Sequence, residues 1–443
     1  MSAERSLVSP SLPFPGTAHL IDHHCHGVLR TGGDLESLLT EGDGGTTAGG
    51  TAFDSLAGLS FRRWCPPALG LEPHASLTEY QERRSSLGPA EVSRRFLSAA
   101  GLAALCVDTG YTPADLLSPA ETAAFAGAAA CEIVRLEQVA ESLAREGVTP
   151  SAFPDAYRAA LAARVRTGSG VPVVGFKSIA AYRVGLDLRP ERPADADVVS
   201  AATRWLAGPQ DAARTDTGGQ PRLADETLHR FFIWCGADLG LPVQFHVGYG
   251  DRDVDLHQCN PLLLTGLLRA LEPSGVPVML LHNYPYHREA GYLAQVFPSV
   301  YADLGLATHN LGSRAPAVLA EALEMVPLRK FLYSSDAFGL PELYYLGALL
   351  FRQGLSRFLS ARLDDGDIAY DDAERIARLI ASGNASRVYG IPAPLQIRFN
   401  SLVAALAASP RPGRSTAWPT ACGKDAKRLT NNPNGLFTRS HSA

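Results

Sequence analysis

AHLIDHHCH, residues 18–26, decides the reading of this chain, because an apolar run ends there in two histidines separated by a single residue. Residues two apart on a β-strand project to the same face, so His24 and His26 are expected side by side at the end of a strand. Seven more apolar runs follow, rich in β-branched residues or bounded by Gly and Pro: AALCVDTG (103–110), CEIVRLE (131–137), VPVVGFKS (171–178), LPVQFHVG (241–248), VPVMLLHN (276–283), SVYADLGL (299–306) and KFLYSSDA (330–337). Most are almost continuously apolar, as parallel strands buried on both faces are. Between them lie stretches with apolar spacing near 3.6, at 90–101, 151–166, 223–239, 286–297, 313–327 and 342–358. Strand alternating with helix eight times predicts an α/β fold, a (β/α)8 TIM barrel. The rival, an open doubly wound sheet, would place a glycine-rich phosphate turn after its first strand. Histidines stand there instead.

Three parts exceed a minimal barrel. Residues 27–89 separate the first strand from its helix, far more than a βα loop of a few residues. They include GDGGTTAGG (42–50), expected to be mobile, and a helical LTEYQERRSSL (77–87). An insertion at that end of a barrel is placed to act as a lid. Additional C-terminal helices are expected at 364–389 and 391–407. The domain reading is therefore an N-terminal extension (1–17), the barrel with its insertion (18–407) and a disordered tail (408–443), rich in Pro, Ser, Asn and basic residues without periodicity.

Composition narrows the function classes. With 46% hydrophobic residues, a wholly disordered chain is excluded. Forty basic residues against 45 acidic argue against nucleic acid or an anionic membrane as partner. A small-molecule substrate is expected instead, and a homo-oligomer is left open. The seven cysteines are scattered and odd in number, with no CxxC pair, which is the usage of a reducing compartment. The first residues hold no apolar core of signal-peptide length and no run of 18 apolar residues occurs, so a cytoplasmic location without a membrane span is expected.

The other strand ends sharpen the first signal. Lys177, His246, His282 and Asp336 each end an apolar run, where barrel enzymes place catalytic groups. A buried lysine or carboxylate without a partner is costly, so several meeting at one mouth call for a shared charge centre, which a divalent cation supplies. The bland alternative is an ion pair of Lys177 with Asp336 and two packed histidines. Zinc is the expected ion, with manganese or iron also suited to a His/carboxylate set. Arg183, just beyond the fourth strand, offers a planar fork for a substrate carboxylate. Asp108, Arg135, Glu137, His287 and Glu289 also follow strands, and Arg62, Arg63 and Trp64 lie in the insertion; these are weaker candidates.

An HxH after strand one, Lys after four, His after five and six and Asp after eight resembles the ligand scheme of the metal-dependent amidohydrolase superfamily, over about residues 18–390. IDHHCHG (21–27), GFKSIAAYRVGL (175–186), HNYPYHREAGYLA (282–294), YSSDAFGLPELYYLGA (333–348) and NASRVYGI (384–391) are similar to its amidohydrolase 2 branch, and within it to the amidohydrolase-like domain fused to glutamine synthetase-like proteins. The resemblance implies that His24, His26, His246 and Asp336 ligate one metal. Lys177, if carboxylated, and His282 would complete a second site, and two ions are favoured here over one; in single-metal members the strand-six histidine is an acid/base or electrophile. Lys177 has a competing role as a ligand of the substrate carboxylate. The implied activity is hydrolysis of an amide or related C–N bond by a water the cation acidifies, with Asp336 and His282 catalytic and an amino-acid derivative such as a γ-glutamyl amide as substrate. Alternatives are a non-oxidative decarboxylase, an isomerase, or a metal-binding barrel without turnover.

Overall fold

The computed structural model describes residues 19–42, 50–111, 115–208 and 222–392. The extension (1–17), most of the Gly/Thr stretch at 42–50, the helix expected at 391–407 and the tail (408–443) lie outside the described residues.

Seven parallel strands form one sheet in sequence order: β1 (Leu20–Cys25), β2 (Leu102–Asp108), β3 (Ala129–Arg135), β4 (Val173–Ser178), β5 (Val243–Val247), β6 (Val278–His282) and β7 (Val300–Ala302). Each strand pairs with its chain neighbour through an intervening helical crossover, the βαβ repeat of a TIM barrel. Register aligns Arg135 with Lys177 and Val247 with His282, so the polar strand ends collect on one rim.

The eighth expected strand is not a regular one. Phe331 bridges Ala302 in parallel and the Leu332 amide donates to the Ala302 carbonyl (3.0 Å). On its other side the His23 amide donates to Tyr333 (3.2 Å), Asp336 to His24 (3.0 Å) and His26 to Ala337 (2.9 Å). The segment thus bonds β7 along one edge and β1 along the other. Its irregularity has a local cause: Asp22 accepts from both the amide (2.9 Å) and the hydroxyl (2.6 Å) of Ser335, and Asp336 takes φ 52°, outside the β region.

β1 is also irregular. Three steps from Asp22 to Cys25 face two from Leu105 to Val107, a bulge. Consecutive histidines therefore reach one polar pair. His24 bonds Gln244, while His23 and Gln244 both bond the Tyr389 hydroxyl (3.0 and 2.8 Å). Tyr389 belongs to an apolar cluster of Ile21, Ala104, Cys106, Ile133, Val174, Met279 and Leu281 drawn from five strands. That cluster is a packed floor under the polar ends.

The described parts of the 27–89 insertion are folded and anchored. Its helices Leu56–Ala68 and Leu77–Leu87 precede the helix Pro89–Ala100 that returns the chain to β2. Arg84 Nε donates to Glu342 Oε1 (2.7 Å), and the Tyr80 hydroxyl donates to the same oxygen (3.0 Å). Glu342 is fully buried on the long helix Pro341–Asp364. No described helix is long and apolar enough to cross a membrane.

Candidate metal centre

Asp336 is where the strand ends meet. Its Oδ1 lies 3.0 Å from His24 Nε2 and 3.3 Å from His26 Nε2, and its Oδ2 lies 3.6 Å from His282 Nδ1. Lys177 Nζ is 3.4 Å from His24 Nε2. The His246 ring packs against His282, with centroids 4.6 Å apart, and against Tyr182 at 4.4 Å. All six side chains predicted from the strand ends therefore share one mouth. His24, His282 and Asp336 hold ligand atoms within 4.8 Å of one another, as do His24, His26 and Asp108.

Hydrogen bonding fixes which atom His24 presents. Gln244 Nε2 donates to the His23 carbonyl (2.8 Å), so its amide cannot be flipped and Oε1 is the acceptor facing His24 Nδ1 at 2.7 Å. Nδ1 then carries the ring hydrogen and Nε2 is an unprotonated lone pair, 3.4 Å from the Lys177 ammonium. That lone pair faces Asp336 Oδ1, which has no hydrogen bond among the described residues. Two acceptors at 3.0 Å repel unless a proton or a cation lies between them. A proton is opposed: burial, then the Lys177 ammonium, lowers His24 from 6.5 to about 4. The donor set of two imidazoles and a carboxylate fits a divalent cation. The buried His246 Nε2, His282 Nε2 and His26 Nδ1 likewise have no hydrogen-bond partner among the described residues.

Protonation states suit a ligand set. Burial holds His246 and His282 well below the usual histidine value, so both are neutral at pH 7. Burial alone would raise Asp336, but His282, His24 and His26 outweigh it and hold the carboxyl well below its ordinary range. Burial lowers Lys177 to about 8, against the opposing pull of Asp336 and Asp108. The backbone carries strain here as well: His282 and Asn283 take φ 71° and 59°, joining Asp336 in the left-handed region that side chains beyond Cβ disfavour.

Several supporting residues escape a reading of strand ends. Gln244, in mid-strand, orients His24 in the manner of an outer-shell partner. Asp303, at the end of β7, accepts from His23 Nε2 (2.9 Å), the His282 amide (2.6 Å) and the Ser334 hydroxyl (2.5 Å), tying β1, β6 and the eighth segment together. His309 is buried within electrostatic reach of Asp336, and its Nδ1 has no hydrogen-bond partner among the described residues. Glu41 of the insertion also feels the Asp336 charge. In the sequence Gln244 is marked only as a polar residue inside the apolar run LPVQFHVG (241–248).

The weaker candidates divide. Arg135 pairs with Asp108 (2.7 Å), and Gly110 N donates to the other Asp108 oxygen (2.8 Å). Glu137 accepts from Ser178 (2.8 Å) and the Ile179 amide (2.9 Å) and meets His229 (3.2 Å), a buried structural knot. His287 faces Glu321 (3.2 Å), and the Arg63 guanidinium stacks on Trp64. Arg183 is different: its Nε is buried with no hydrogen-bond partner, and burial followed by repulsion from Arg222 lowers its pKa.

A parallel barrel with imidazoles and a carboxylate converging at its strand ends defines a metal-centred barrel class. A sequence model of the amidohydrolase family (Amidohydro_2) matches residues 138–391, and the chain belongs to that family. It is 33% identical over 290 residues to Protein fluG of Emericella nidulans, an alignment that takes in 60% of this chain and 33% of fluG. The chain thus spans about a third of that relative's length. It is similar, at 30% identity and TM-score 0.71, to a Lactobacillus casei protein inferred to be a metal-dependent hydrolase, covering 85% of this chain and 96% of that one. A uronate isomerase of Thermotoga maritima shares the fold at TM-score 0.54 and 11% identity, covering 84% of this chain and 94% of its own.

Proposed function

We propose that this chain is a metal-dependent hydrolase of amide or related C–N bonds in a small, carboxylate-bearing molecule. The observation that carries the reading is the unprotonated His24 Nε2 set 3.0 Å from an Asp336 Oδ1 without a hydrogen bond among the described residues, with only the Lys177 ammonium (3.4 Å) near the imidazole nitrogen. His24, His26, His246 and Asp336 would hold a single divalent cation, zinc first among the candidates. When bound, the cation supplies Lewis acidity and lowers the pKa of water toward about 7.

The remaining chemistry belongs to the side chains. Asp336, ionised at neutral pH, accepts a proton at its carboxylate and delivers it to the leaving nitrogen. The Leu306 amide donates to His282 Nδ1 (3.4 Å), which leaves the ring hydrogen on Nε2. His282 therefore serves as a neutral donor to the developing oxyanion, and this donor role favours one ion over two. Lys177 and Arg183 hold the substrate carboxylate. The product test is direct: the zinc-loaded protein, given a panel of small amides of carboxylic acids, should release ammonia or amine. Asp336→Asn should abolish that release while unfolding as cooperatively as the parent. Carbon dioxide release or an isomerised product would overturn the hydrolytic reading.

A further inference from the structure

Five side chains form one hydrogen-bonded line leading away from the metal centre, of which the chemistry above uses only His24. The His24 Nδ1 hydrogen goes to Gln244 Oε1 (2.7 Å). Gln244 Nε2 donates to the Tyr389 hydroxyl (2.8 Å). That hydroxyl lies 3.0 Å from His23 Nδ1, and His23 Nε2 lies 2.9 Å from Asp303 Oδ2. All five side chains are buried. Tyr389 comes from the helix Asn384–Tyr389, outside the sheet, and its ring stacks on His23 with centroids 5.7 Å apart.

The direction of each bond follows from its neighbours. Gln244 Nε2 also donates to the His23 carbonyl (2.8 Å), so the amide orientation is fixed and the Tyr389 oxygen accepts from it. Among the described residues the one acceptor left for the Tyr389 proton is His23 Nδ1. His23 then carries its ring hydrogen on Nε2, facing Asp303. Asp303 accepts at both oxygens, since the Ser334 hydroxyl reaches Oδ2 (2.5 Å) and the His282 amide reaches Oδ1 (2.6 Å). Donors therefore point one way, from the His24 ring through Gln244, Tyr389 and His23 to a carboxylate. Hydrogen bonds aligned head to tail polarise one another, and a low-dielectric interior strengthens the effect. Gln244 alone would orient His24 but would bring no charge to it.

We propose that Asp303 acts on the metal ligand His24 through His23, Tyr389 and Gln244. The line is an extended form of the carboxylate–histidine pairing that makes a ligand nitrogen more basic. Asp303, His23 and Tyr389 are then positioning residues that raise the affinity of His24 Nε2 for a cation, and the C-terminal helix is part of the centre. The inference rests on His24 as a metal ligand and is independent of which bond is cleaved.

The test is a double-mutant cycle on zinc affinity, measured by competition with a chromophoric chelator for the parent, Tyr389→Phe, Gln244→Leu and the double variant. Tyr389→Phe keeps the ring, and the His23 carbonyl still holds the Gln244 amide, so His24 stays oriented while the line to Asp303 is cut. The single change should weaken zinc binding about tenfold. In the Gln244→Leu protein, where the line is already broken, it should weaken binding by no more than about twofold. Asp303→Asn, which removes the charge and can still accept from the His282 amide, should follow the same pattern, and it decides the cycle if Tyr389→Phe does not unfold cooperatively. A purely structural role for Tyr389 would lower stability and leave zinc affinity unchanged. In the metal-free protein the His24 Nδ1 proton resonance, assigned by its loss in His24→Asn, should move upfield in Tyr389→Phe and in Asp303→Asn. Parental zinc affinity in Tyr389→Phe, an equal loss with and without Gln244, or an unmoved His24 resonance overturns the relay. A parent that binds no zinc counts against the metal centre instead, and the metal-free resonance then decides the relay.

Discussion

Gln244→Leu tests the way the barrel aims its first ligand. Gln244 is fully buried and occupies three partners: His24 Nδ1 at 2.7 Å, the His23 carbonyl at 2.8 Å and the Tyr389 hydroxyl at 2.8 Å. Leucine nearly matches its volume, so the change removes hydrogen bonds without opening a large cavity. The Tyr389 hydroxyl keeps its bond to His23 Nδ1 (3.0 Å), so two buried groups, His24 Nδ1 and the His23 carbonyl, are left unsatisfied; at the low end of about 1–3 kcal/mol each they imply a loss of about 2 kcal/mol. The effect on the metal is separate. Without its acceptor the His24 ring is free to rotate and to place its hydrogen on Nε2, the atom that faces Asp336. Loss of an outer-shell partner of this kind weakens metal affinity by roughly 10–100-fold. Zinc affinity by competition with a chromophoric chelator, and thermal unfolding of the metal-free protein, read the two effects independently. Gln244→Glu keeps an acceptor for His24 but places an oxygen against the His23 carbonyl, and should recover affinity more than stability. A Gln244→Leu protein that binds zinc as tightly as its parent would refute the account of how His24 is oriented.

Other consequences can be measured in the same preparations. Arg84→Ala leaves Glu342 buried and unpaired, which should cost about 3–5 kcal/mol and expose residues 50–88 to limited proteolysis; Tyr80→Phe, which removes one hydrogen bond, should cost about 1 kcal/mol. Arg183→Met should raise KM for a carboxylate-bearing amide at least tenfold with little change in kcat, since a uniform binding contact affects ground state and transition state alike. The metal-free protein should lose stability as pH falls from about 6.5 to about 4. His24 and His309, lowered by burial to about 4 in the folded chain, take up protons when it unfolds, which is worth up to roughly 3 kcal/mol each. Denaturant melts at pH 7 and pH 5 should show the drop, and His309→Gln should reduce it; a stability that rises on acidification would reverse the assigned sign.

Much of the candidate centre was legible because a barrel converts strand order into spatial proximity. Once AHLIDHHCH and LPVQFHVG are read as parallel strands, their final residues must share a rim, whatever their separation along the chain. What stayed hidden was what depends on departures from ideal strands. The bulge in β1 turns His23 and His24 toward one Gln244–Tyr389 pair, and simple alternation would have sent His23 the other way. KFLYSSDA reads as a strand by composition, but the contest between Asp22 and the ladder for the Ser335 amide prevents a regular one. Gln244, 220 residues from His24, has no local signature beyond being polar in an apolar run. The described helices of the insertion are held by tertiary anchors such as Arg84 with Glu342, which no periodicity marks.

The most direct test of the central claim is anomalous diffraction at the zinc edge from crystals of the zinc-loaded protein. One strong peak is expected at the barrel mouth, about 2.0–2.2 Å from His24, His26 and His246 ring nitrogens and an Asp336 oxygen. A map with no peak between those side chains, or with zinc bound only at residues elsewhere on the surface, would contradict it.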